Sequence, residues 1–90
     1  MILMVLGMVS GNLWATKKDE SLNGYKLMIV QLISSKNEPL GEEIVAVDTV
    51  GAGIGEIVII ARGSSSRVQN GDFVKSPVDA SIVGIVDGIE

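Results

Sequence analysis

The sequence has no cysteine and no histidine. This excludes disulfides, thiolate metal sites, a cysteine nucleophile and any Ser–His or Cys–His catalytic pair. Aromatic residues are reduced to Trp14, Tyr25 and Phe73, too few for a platform on which successive nucleic-acid bases stack. Basic residues are outnumbered: 7 Lys and Arg face 11 Asp and Glu, for a net charge of −4. That is the wrong sign for a surface that grips phosphates. No apolar run reaches the roughly 20 residues of a bilayer helix. The apolar start Met1–Val9 has neither the basic leader nor the small-residue cleavage site of a secretory signal. The expectation is a cytoplasmic chain with no nucleic-acid and no membrane partner.

What is present is aliphatic. Apolar residues make up 47% of the 90 residues and charged residues only 20%, so the chain is not disordered. It forms one domain, residues 1–90. A domain of this size buries only about 60–65% of its unfolded surface. More apolar surface is therefore available than one small core hides.

Gly, Asn, Asp, Ser and Pro clusters cut the chain into short pieces. Candidate strands are Ile2–Thr16, Tyr25–Ile33, Glu43–Asp48, Glu56–Arg62 and Ser81–Asp87, all rich in Val and Ile. Residues 17–24 form a polar connection ending in Asn23-Gly24, Ser34–Glu42 reads as a second loop, and Asn70-Gly71-Asp72 marks a further turn. No window carries the helical period. At most one helical turn fits, around Ser64–Val68. Five strands with polar turns predict an all-β fold, a small barrel or sandwich. Leu27–Val30, Ile57–Ile60 and Ile82–Val86 do not alternate and are apolar on both faces. Helices usually cover the second face of such strands, and this chain has none to spare. Leaving it wet would cost several kcal/mol at about 25 cal/mol per Å², so copies of the chain are expected to cover one another.

The most distinctive stretch is Asp48-Thr49-Val50-Gly51-Ala52-Gly53-Ile54-Gly55-Glu56. Its G-x-G-x-G spacing is not the dinucleotide fingerprint, no helix follows, and no P-loop Lys-Ser/Thr is present. The preferred reading is a crowded turn whose glycines permit positive φ and close approach, packed against its own copies near a symmetry axis. Gly63-Ser64-Ser65-Ser66-Arg67 offers hydroxyls without an adjacent histidine base. It reads as a capped turn, with Arg67 suited to a carboxylate at a subunit contact. Asp48, Glu56, Asp79 and Asp87 lie at strand ends and read as solvated or inter-subunit groups, with no metal-loop spacing. Trp14 reads as packing or interface. The subunit-interface candidates are Trp14, Asp48, Glu56, Ser64, Ser65 and Arg67. No catalytic, cofactor or metal site is expected.

Taken together, the runs Gly11–Asp19, Leu22–Leu27, Val45–Glu56, Gly63–Arg67 and Val78–Asp87 resemble the bacterial microcompartment vertex proteins of the carboxysome and ethanolamine-utilisation (CcmL/EutN) type. The ordered Val-Ala-Val-Asp…Gly-Ala-Gly-x-Gly-Glu run is the most specific part. Departures are small: the family usually has Ala at position 66 and fewer residues before Gly7. The resemblance implies a five-stranded, OB-like β-barrel that closes into a homopentamer at the five-fold vertices of a bacterial microcompartment shell. It implies no reaction and no cofactor, and six-fold (hexameric) shell proteins as partners. It directs Gly51, Ala52, Gly53, Ile54 and Gly55 toward the ring axis. The alternative is a monomeric OB-type module binding nucleic acid or a small ligand, which acidity and scarce aromatics disfavour.

Overall fold

The computed structural model describes residues 3–14, 24–63, 68–69, 72–73 and 80–89. Five strands form a closed barrel: β1 (Leu3–Leu13), β2 (Lys26–Ile33), β3 (Pro39–Asp48), β4 (Ile57–Arg62) and β7 (Ala80–Val86). Two strands of two residues each, β5 (Val68–Gln69) and β6 (Asp72–Phe73), pair with each other outside it. The barrel order is β1-β2-β3-β7-β4, closing from β4 to β1. Every barrel pairing is antiparallel except the β3–β7 seam, which consists of Val47↔Ser81 and Asp48↔Ile82. This is the expected OB-like barrel. Closure pairs β1, β2 and β4 on both sides, and only β3 and β7 keep unpaired edge beyond their two-pair seam.

The interior is aliphatic. Val9, Met28, Val30, Val58, Ile60 and Ile82 are all but completely buried and pack with Leu32, Ala46, Ala52 and Ala80. They sit at alternate positions because successive strand side chains point to opposite faces. Bulges adjust that alternation. Ser10 is the extra residue between Val9↔Val30 and Gly11↔Ile29, and its hydroxyl donates to the Ile29 carbonyl at 3.2 Å. Val83 is the extra residue between Ile60↔Ile82 and Ile59↔Gly84.

The outer wall is apolar too. Leu6 and Met8 pair with Ile59 and Ile57, which pair with Gly84 and Val86; their side chains are only half-buried, and Val83 beside them is exposed. On the opposite flank, Leu13 pairs with Leu27, and Ile29 with Val45. Leu27 and Ile29 are half-buried, Leu13 and Val45 exposed.

One expectation needs correction, and another falls outside the described residues. Ser34–Glu42 is not all loop, because β3 begins at Pro39, opposite Ile33. Proline is tolerated as the first residue of a strand, where its missing N–H breaks no ladder bond. Gly41 at φ +84° sits where the β2–β3 register shifts, and polar, exposed residues here concealed the strand from hydropathy. The true turn is 34–38. There the Ser34 N–H donates to the Glu38 carbonyl at 2.9 Å, and the Ser34 hydroxyl accepts from the Lys36 and Glu38 amides. The helical turn expected around Ser64–Val68 falls on 64–67, outside the described residues, except for Val68, which opens β5.

Candidate functional site

The Asp48–Glu56 segment joins β3 to β4 and is fixed at both ends. Asp48 is 7% exposed. Its Oδ1 accepts from the Val50 and Gly51 amides, each at 3.0 Å, an Asx turn that occupies donors the strand no longer pairs. The Thr49 hydroxyl donates to the Ile82 carbonyl at 2.7 Å, tying the loop to β7. At the other end, the Gly55 amide donates to the Val9 carbonyl at 2.8 Å and the Val9 amide to the Glu56 carbonyl at 3.0 Å. Glu56 Oε1 accepts from the Gly53 amide at 2.6 Å, and the Glu56 amide donates to the Gly53 carbonyl at 3.1 Å.

Between these ties, Ala52 turns inward and joins the core at 5% exposure. Val50 and Ile54 point out, at 42% and 63% exposure. The loop is thus a preformed knob: two aliphatic side chains on a backbone that is already ordered. Gly51 and Gly55 have φ of +82° and +90°, where a Cβ is strained. Gly53 does not share that requirement. A Cβ there meets only the Glu56 Oε1, at 3.3 Å.

Of the two expectations for Asp48, a solvated strand end or an inter-subunit group, the first is excluded, because its carboxylate is enclosed by its own loop. Asp48→Ala is expected to cost about 1–3 kcal/mol by orphaning two partly buried amides, while Asp48→Asn, which keeps an acceptor oxygen, retains most of that stability. Denaturant unfolding of the three proteins measures it, and an alanine variant as stable as the parent refutes the assignment.

The other candidates separate. Trp14 follows β1 and is 91% exposed. Glu56 is exposed and holds the loop, and Asp87 is exposed after β7. Ser64, Ser65, Ser66, Arg67 and Asp79 lie outside the described residues. Sequence reading missed the ion pair of Arg62 with Glu42, at 3.6 Å; at a half-exposed site such a pair contributes little. It also missed Thr49 as an anchor and Val50 as half of the knob. An Asp followed three residues later by Gly was the available turn signal. Among the described residues no group of three or more carboxylates could hold a metal ion.

The family model for the ethanolamine utilisation protein EutN/carboxysome family matches residues 4–87. The chain is 51% identical over 87 residues to the microcompartment shell vertex protein GrpN of Rhodospirillum rubrum, covering 97% of each chain. It is 43% identical over 86 residues to the carboxysome shell vertex protein CcmL of Synechocystis sp., covering 96% of this chain and 85% of that one. The solved structure of GrpN, described as a pentameric microcompartment shell protein, superposes with a TM-score of 0.84 at 49% identity, over 96% of this chain and 95% of the other.

Proposed function

Because the chain belongs to the EutN/CcmL family, we propose that it is a structural shell protein. It forms homopentamers that cap the five-fold vertices of a bacterial microcompartment. The observation that carries this reading is the apolar outer wall. One flank presents Leu6, Met8, Ile57, Ile59, Val83 and Val86, and the other presents Leu13, Leu27, Ile29 and Val45. Two different apolar flanks on one subunit suit a head-to-tail contact, and a head-to-tail contact whose rotation closes makes a ring. Burial alone does not choose the ring order. Five follows from the pentameric relative.

The ring has a geometric task. A layer tiled by six-fold units is flat and closes into a shell only through five-fold positions. Six-fold shell proteins are therefore the partners at the ring's outer edge, and the exposed Trp14 is a candidate for subunit or shell contacts, since an exposed indole combines apolar area with one polar N–H. The Gly51–Gly55 segment lies toward the axis, where small residues allow close approach. The chain has no reaction of its own in this reading.

Native mass spectrometry at micromolar concentration tests it. Five copies of a 9.4 kDa chain give a 47 kDa species. A protein that stays at 9.4 kDa overturns the ring. A ring of another order overturns the vertex assignment.

A further inference from the structure

A cleft of about 320 Å³ opens where the 34–38 turn approaches the ends of β4 and β7. Ile57, Val86 and Ile89 line it with apolar surface, and Lys36, Asn37 and Asp87 form its polar part. That is about ten water volumes at roughly 30 Å³ each, room for a branched aliphatic side chain with its backbone. From this we infer that the cleft is the socket for the Val50/Ile54 knob of the neighbouring copy.

Three observations support the match. First, the knob is not self-satisfied: Ile54 stays 63% exposed in its own subunit, and Ile89, at the cleft, stays 47% exposed. Second, knob and cleft each continue one of the two apolar flanks. The knob follows β3, which carries Val45, while Ile57 and Val86 belong both to the cleft and to the other flank. A flank-to-flank contact therefore brings the knob of one copy toward the cleft of the next. Third, the cleft rim carries one cation, Lys36, beside the carboxylate of Asp87, and the contact must set the knob's carboxylate on the Lys36 side. Lys36 has no ion-pair partner among the described residues, and Glu56, at the base of the knob, is exposed with one carboxylate oxygen on the Gly53 amide. An apolar centre with a charged pair at its rim is the usual anatomy of a specific interface. The rim pair sets orientation more than strength.

The position follows too. Ile54 and Ile57 are three residues apart, so their Cα atoms lie within about 11 Å. Only close to the axis of a ring do equivalent points on adjacent copies come that near each other. The knob-in-cleft contact therefore encircles the opening, and the Ile54 side chains are spent on subunit contact rather than left pointing into the channel.

This inference rests on the ring reading, and the two fail separately. The chain has no cysteine, so an Ile54→Cys/Ile89→Cys double variant carries the only thiols. Mild oxidation is expected to produce a non-reducing gel ladder up to the full ring, absent from either single variant. A parent that forms no ring by mass overturns the ring reading and the socket with it. A ring without a ladder overturns the socket alone. In parallel, Ile54→Asp and Ile89→Asp, both at exposed positions, are each expected to raise the concentration at which the ring dissociates at least tenfold. An unchanged dissociation concentration in either variant also overturns the socket, so the outcome does not depend on the cysteine variants assembling.

Discussion

Gly7→Ala is expected to lower the thermal midpoint by about 10–20 °C. Gly7 lies in β1 opposite Leu32 of β2 and Val58 of β4. A Cβ built there overlaps the Val30 Cγ1, and lies 3.0 Å from the Ile60 Cδ1 and 3.1 Å from the Gln31 carbonyl oxygen. Val30 and Ile60 are 0% exposed, so neither can swing out to solvent. The Gln31 carbonyl is ladder backbone and cannot withdraw without disturbing the pairing of β1 with β2. Overpacking of this kind costs about 1–3 kcal/mol, and each kcal/mol shifts the midpoint of a domain of this size by about 4–8 °C. Gly84→Ala is the control. A Cβ at Gly84 meets Ile59 at 3.5 Å and beyond, ordinary van der Waals contact, and the barrel is expected to accept it with little change. Circular dichroism melts at one fixed protein concentration compare the two, since assembly makes the midpoint concentration-dependent. Equal melting of Gly7→Ala and the parent would show that the β1–β2–β4 wall is not as tightly closed as described.

Gly53→Trp is expected to abolish the ring while leaving the barrel folded. The loop's conformation does not depend on glycine at this position, because only Gly51 and Gly55 have positive φ in this segment. The nearest obstacle to a side chain is the Glu56 carboxylate at 3.3 Å, the far end of a flexible chain. An indole there projects from a segment that the ring reading places near the axis, where five copies would crowd. The expected result is a far-UV spectrum like the parent's, with the mass shifted to a monomer or an open fragment. Gly53→Ala, which adds one methyl group, is expected to keep the ring. A Gly53→Trp protein that retains an unchanged ring with an unchanged opening would remove the loop from the axis. Gly55→Trp is not a substitute, because strain at φ +90° would confound folding with assembly.

The barrel strands were legible because β-branched runs bounded by Gly, Asn, Asp and Ser report pleated structure directly. The errors fall where that signal is weak. The first half of β3, Pro39–Glu43, is exposed and mixes Pro, Gly and Glu with a single Leu, and it pairs with β2 through an irregular register that hydropathy cannot see. The strands β5 and β6 contain two residues each, too few for a period. The glycine-rich loop was visible as a feature, but not as a mechanism. Glycine spacing does not reveal that Asp48 folds back onto two amides, or that Ala52 rather than a larger residue reaches the core.

Composition and pattern alone determined the fold class, the absence of thiol and imidazole chemistry, and the surplus of aliphatic surface that demands copies of the chain. These depend only on which side chains exist and how they repeat along the backbone. Which glycines are conformationally required, which acid is enclosed, and which aliphatic side chains face outward were decided by the tertiary structure. Asp48 folds onto amides two and three residues away, but the loop that encloses it is held by contacts between residues far apart: Thr49 reaches Ile82, Gly55 reaches Val9, and Gly7 has room for nothing larger than a hydrogen because Val30 and Ile60 close over it.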